Sequence, residues 1–231
     1  MKNIWIIFRK QMKDTGKNVA LLIQFIMFPL MAVIMENAIQ VADMPEHFFA
    51  GMFAIMHIGM APLNVTTAII AEEKEKNTLR VLLFGGIRPV EYLIGTGGYV
   101  FSACMIGALI FAVLGGWRGT EFVIFLLIMA AGIIVSMLLG AVIGIRSKSQ
   151  ITATTIVMPV MMVFAFLPML STFNDTIAKI ADIAYSQQIQ LLINGLSSQT
   201  APEIKSLIVI AASFIISAVM FTRAYRKSGL N

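Results

Sequence analysis

The side chains able to do chemistry are few and scattered. His57 stands in the middle of one apolar stretch, with Asn64, Thr66 and Thr67 further along it. Glu36 sits late in another, and Cys104 is alone in a third. A polar group at membrane depth is a functional candidate by default, so His57 and Asn64 are candidates for a substrate path. The plainer reading is a histidine satisfied by a neighbouring helix, with the hydroxyls bonded to backbone or to a neighbour. A lone cysteine excludes an internal disulfide and a cysteine metal cluster, and Cys104 reads as a buried, inert thiol. Glu36 is expected near the outer surface, where it snorkels.

Other chemistries lack their residues. The one Gly-Lys pair, Gly16-Lys17, has no upstream glycine to form a phosphate-binding loop. No HExxH, no GxSxG and no intramembrane pair of carboxylates occurs. No catalytic residue, metal ligand or bound cofactor is therefore assigned to this chain. A row of intramembrane acids, as a proton-driven pump requires, is missing too. Uphill transport would have to draw its energy from outside.

The elements that carry these residues follow from composition. Of 231 residues, 58% are hydrophobic and 13% charged, and mean hydropathy is +0.87. Soluble domains carry about 25% charged residues, so lipid must be the solvent for most of this surface. Six stretches are long and apolar enough to span: 19–41, 48–71, 92–115, 122–145, 151–173 and 204–224. The expected fold is an all-α integral membrane protein forming a single transmembrane domain over 1–231.

Basic residues orient it. Lys2, Arg9, Lys10, Lys13, Lys17, Lys74, Lys76, Arg80, Arg88, Arg146, Lys148, Arg223, Arg226 and Lys227 fall on one side, against Arg118, Lys179 and Lys205 on the other. The positive-inside rule puts both termini in the cytoplasm. The net charge of +5 thus marks topology; no basic–aromatic patch suggests nucleic acid. Residues 1–17 read as an amphipathic interfacial helix and not a signal peptide. Its first thirteen residues put Ile4, Trp5, Ile7, Phe8 and Met12 on one face, and Lys2, Arg9, Lys10 and Lys13 on the other.

Gly132, Ser136, Gly140 and Gly144 recur every fourth residue and define a close-packing face. Its partner helix, in this chain or another, stays open. Residues 174–201 carry two amphipathic repeats, Ile177, Ile180, Ala181, Ala184 and Ile189, Leu192, Ile193, Leu196. They predict short outer helices broken near Ser186 and Asn194-Gly195. Thr200-Ala201-Pro202-Glu203 reads as a capping box opening the last span. Pro29, Pro62, Pro159 and Pro168 are expected to kink their helices.

One segment breaks the oily pattern. Residues 72–91 hold Glu72, Glu73, Lys74, Glu75, Lys76, Arg80, Arg88 and Glu91. Glu72 and Lys76 form an i,i+4 pair in the favourable order. Leu79, Leu82 and Leu83 make an apolar cluster after the charges. Gly85-Gly86 should stop this helix and Pro89 open the next. The expected unit is a cytoplasmic elbow whose leucine face either dips into the membrane interface or docks on a cytoplasmic partner. Three acids facing anionic lipid favour docking.

The run Glu-Glu-Lys-Glu-Lys-Asn-Thr-Leu-Arg-Val-Leu-Leu, followed by Gly-Gly-Ile-Arg-Pro-Val-Glu-Tyr-Leu-Ile-Gly, resembles the permease subunits of six-span ABC-type exporters, the type V class. The resemblance extends over the whole chain. Asn77 replaces the glycine that the family commonly places before Thr-Leu, and Ile87-Arg88 stands where a Ser or Thr is frequent. The resemblance implies a homo- or heterodimer of permease chains, each against a separate ATPase subunit that binds ATP and Mg. It implies a coupling helix in the elbow, with Glu72, Glu73, Lys76, Thr78, Leu79, Leu82 and Leu83 in contact with the ATPase. Arg146 and Lys148 would form a second, shorter contact.

The Met- and Phe-rich spans suit a hydrophobic or amphipathic cargo, and small permeases of this kind include exporters of antimicrobial or toxin-like peptides. Drugs, lipids and glycan precursors remain open. The alternatives from other classes are a secondary carrier or channel without an ATPase, and a peptide-binding immunity protein.

Overall fold

A computed structural model describes residues 2–39, 47–198, 200 and 202–227, and Leu83 only as backbone. Among these the regular elements are all helices: α1 (Lys2–Lys17), α2 (Val19–Ala38), α3 (Phe48–Glu75), α4 (Thr78–Phe84), α5 (Pro89–Leu114), α6 (Thr120–Arg146), α7 (Gln150–Ser171), α8 (Asp175–Ala181), α9 (Tyr185–Ser197) and α10 (Ile204–Lys227). Six of them, α2, α3, α5, α6, α7 and α10, are long and apolar enough to cross a membrane. Residues 40 and 41, at the end of the first expected span, lie outside the described residues. Each of the four expected kink prolines sits inside a helix that runs on past it.

Helix α3 is the axis. Of its most apolar stretch 89% is buried, against 17–39% for the other five spans, and it packs on α2, α5, α6, α7 and α9. A helix apolar all round belongs inside. Small residues let the neighbours come close. The small-residue face of α6 turns onto α3 of the same chain. A Cβ at Gly144 would lie 2.9 Å from the Thr67 carbonyl oxygen, and one at Gly140 would overlap that of Leu63. Ser136 Oγ donates to the Ile58 carbonyl at 2.7 Å, and Thr67 Oγ1 bonds the Gly140 carbonyl at 3.0 Å. On the α7 side a Cβ at Gly59 would lie 2.7 Å from the Ala165 nitrogen.

At the end of α3 the structure departs from the expected continuous helix. The helix stops at Glu75, and Asn77 adopts φ +56°, the left-handed region. Asparagine tolerates that region better than other non-glycine residues, which explains why it can stand at this turn. The short α4 then runs to Phe84 and closes as expected. Gly86 has φ +87° and the Ile87 N–H bonds the Leu82 carbonyl at 3.2 Å, the pattern of a glycine-terminated helix. Pro89 opens α5, and the Glu91 carboxylate accepts from the Arg88 N–H at 3.0 Å.

Two further expectations are corrected. The break between the short helices falls at residues 182–184, so Ser186 and Asn194-Gly195 lie inside α9. Helix α10 starts at Ile204, and Thr200 does not cap it, since its N–H bonds back to Gly195 at 2.9 Å. Thr200 therefore closes α9 and does not open α10; Ala201 lies outside the described residues. Glu36 is tethered: it accepts from the Ala50 N–H at 3.2 Å and faces His47 Nδ1 at 3.2 Å. Both groups lie at the start of α3, where a carboxylate favours the helix N-terminus.

Candidate functional site: the charged elbow

Each residue of Glu72–Lys76 has a different partner. Glu72 and Lys76 pair within the helix turn, and that hydrogen bond holds the Lys76 ammonium above its ordinary pKa. Glu73 is buried and faces the other way. It accepts from Tyr92 Oη of α5, from Lys10 Nζ of α1 and from Gln11 Nε2 at 2.9 Å. Gln11 Nε2 also reaches Thr96 Oγ1 at 3.2 Å. Burial works against the Lys10 ammonium, but Glu73 and Asp14 outweigh it and raise its pKa. Lys74 Nζ donates to the carbonyls of Ile145 and, at 2.9 Å, Ser147. It thereby closes the C-terminus of α6, where a cation is favoured. The Glu75 carboxylate accepts from the Gln150 N–H at 2.7 Å, capping the N-terminus of α7.

The charged run is thus a knot. It ties the end of the axial helix to α1, α5, α6 and α7. It also joins the two contacts expected separately, because Arg146 and Lys148 stand exposed on the loop that Lys74 and Glu75 hold.

Leu79 turns inward. Leu79 is only 2% exposed and packs with Ile7 and Tyr92, with Leu82, Leu93 and Tyr225 around them. Close contact between α1 and α5 makes this possible: a Cβ at Gly95 would lie 2.7 Å from Ile7 Cβ. The exposed leucine cluster read from spacing is therefore corrected at Leu79; the Leu83 side chain lies outside the described residues. Leu79 and Glu73 are covered by their own chain, Leu82 and Thr78 are half-buried, and Lys76 is exposed. The outward residues that periodicity missed are Val81, Phe84 and Arg80, with Phe84 at 89% exposure. Nothing in the local spacing separates these faces; the deciding contact comes from α1, some seventy residues upstream.

Beside the elbow lies a polar cleft of about 520 Å³. Lys10, Asp14 and Lys17 form one wall, and Glu72, Lys76 and Thr78 the other. Its mixed charge suits a polar protein segment better than a lipid chain.

His57 is fully buried. Its Nε2 lies 3.3 Å from the Cys104 carbonyl, and the rings of Phe28 and Phe111 pack edge-on against it. Asn64, two turns along, is half-buried. The two share a helix side but meet no common cavity among those described. Among the described residues no cluster of three or more His, Cys, Asp or Glu is placed to hold a metal.

Six apolar helices, one of them central, with a charged elbow at one end, define a multi-pass membrane protein. The sequence model of the family described as ABC-2 family transporter protein matches residues 10–223, and the chain belongs to that family of ABC-transporter membrane components. No curated protein matches it. Family membership implies an ABC ATPase as partner, and members generally carry no ATPase site of their own.

Proposed function

We propose that this chain is the permease subunit of an ATP-driven exporter of the type V class, with both termini cytoplasmic and the elbow as its coupling element. The observation that supports it best is the knot at Glu73–Lys74–Glu75. Force applied to α4 reaches the end of the axial helix, and through charge-assisted bonds the middle of α1, the start of α5 and the ends of α6 and α7. An ATPase closing beneath the elbow then moves a connected set of helices. ATP and Mg reside on the ATPase. Two permease chains enclose the path, and the cargo is a hydrophobic or amphipathic molecule such as an antimicrobial or toxin-like peptide.

The ATPase contact is carried by the outward residues Glu72, Lys76, Arg80, Val81 and Phe84, with Arg146 and Lys148 beside them. Leu79 supports the elbow from within. The test is the double substitution Val81→Asp with Phe84→Asp. It should leave the chain inserted and folded while abolishing ATPase co-purification and permease-stimulated ATP hydrolysis. Undiminished co-purification would count against the coupling role and return the carrier, channel and immunity readings.

A further inference from the structure

A second feature lies away from the elbow. Helices α2 and α5 diverge to leave an apolar groove of about 510 Å³, floored by Phe25, Pro29 and Gly107 and roofed at one end by Phe8 and Met12 of α1. Its lips are exposed: Ile26 is 55%, Leu30 52% and Ile106 63% accessible. The groove extends from Leu22 to Val33 on α2 and from Tyr99 to Ile110 on α5. At 1.5 Å per residue each run is about 16 Å long. The hydrocarbon core is about 30 Å thick, so the groove is as deep as one leaflet. It starts at the interface, under α1, and ends near the midplane.

The mouth is basic. On α1, Arg9 and Lys13 directly follow the groove residues Phe8 and Met12. Both are exposed, and neither forms an ion pair among the described residues. The face of α1 that packs on the protein is a different one, carried by Ile7, Gln11 and Thr15. An apolar slot one leaflet deep, roofed by a helix whose flank carries two exposed cations within side-chain reach of a headgroup at its mouth, has the shape and charge of one ligand class. We infer that the α1–α2–α5 groove binds an anionic phospholipid, with one acyl chain in the slot and its phosphate held by Arg9 and Lys13. A bound lipid would fasten α1 onto the bundle from the side opposite the Glu73 knot.

Trp5 supplies the probe. It stacks on Phe8 at 5.4 Å between ring centroids, and the only other tryptophan is Trp117, removed by Trp117→Phe. The full chain is placed in phosphatidylcholine vesicles containing a few mole per cent of brominated phosphatidylglycerol, or of brominated phosphatidylcholine. Trp5 should be quenched well beyond the mole fraction by the first and not by the second. One basic residue near a membrane surface is worth about fivefold in anionic-lipid affinity; Arg9→Gln with Lys13→Gln should therefore cut the preference at least tenfold. Filling the slot by Ala103→Phe, or independently by Ser102→Phe, should also remove it while both cations remain. Preference that survives both fillings means surface attraction alone and overturns the proposal. Equal quenching by the two lipids, pointing to an unselective apolar guest, overturns it as well. So does quenching by neither lipid together with a dimer that the fillings dissociate, which would put a second copy in the groove.

Discussion

The elbow and the helix α9, at opposite ends of the bundle, are fastened by different chemistry. At the elbow end the ties are charged: Glu73 to Lys10, Lys74 to the carbonyls that end α6, Glu75 to the N–H that starts α7. At the opposite end α9 is pinned by neutral groups. Tyr185 Oη meets Ser136 Oγ at 2.7 Å, Ser171 Oγ donates to Gln187 at 2.7 Å, and Ser206 Oγ donates to Gln188 at 2.7 Å. Charge-assisted bonds are roughly twice as strong as neutral ones, but near an aqueous surface their partners can fall back on water. Buried neutral bonds have no such substitute, and an unmade one costs about 1–3 kcal/mol. Under the proposed coupling role, the elbow end transmits load and re-forms while the other end stays shut.

The comparison can be broken first at Glu73. Glu73→Ala takes the acceptor from the buried Tyr92 hydroxyl and leaves Lys10 with Asp14 alone, and an unmade buried hydrogen bond costs about 1–3 kcal/mol. Thermal unfolding in detergent should register that loss, and proteolysis should begin within α1. Next comes the axis shared by both ends. Gly140→Val places a side chain on the Leu63 carbonyl. Overpacking of this kind costs about 1–3 kcal/mol, and cross-linking between cysteines placed on α3 and α6 should show the helices parted. Smaller still, Tyr185→Phe removes one hydroxyl from the neutral end, for about 1 kcal/mol. Proteolysis of α9, but not of α1, should quicken.

The smallest effect concerns Asp182. Its hydrogen bond from Lys205 lowers the carboxyl pKa below its usual 3.8. Its stabilising effect is therefore present above that value and lost as pH falls through the lower folded value. Asp182→Asn should be slightly less stable than the parent at neutral pH, with the gap closing in acid. High salt should shrink it too, since the pair is exposed.

The spans were legible because lipid leaves only one structure for a long apolar run. The packing face on α6 was legible because Gly132, Ser136, Gly140 and Gly144 keep one register. The elbow's facing was not. Leu79 and Phe84 look equally apolar in sequence, and only the docking of α1 decides that the first is covered and the second exposed. Glu73 was read as an outward acid for the same reason. The stop at Asn77 was hidden because the two glycines beyond it looked like the first place the helix could end. Depth of α9 was hidden as well, since nothing in its amphipathic repeat shows that Gln187 and Gln188 are buried and accept from Ser171 and Ser206.

The burial of α3 bears on how the chain is made. As a ribosome emits it, the axial helix enters the bilayer before α6 and α7 exist. Until residue 171 has been synthesised, the Thr66 and Thr67 hydroxyls and the notch at Gly59 face lipid or the insertion machinery. A message truncated after α5 should therefore yield a product that is held by membrane chaperones and degraded. Restoring α6 and α7 as a separate polypeptide should rescue it.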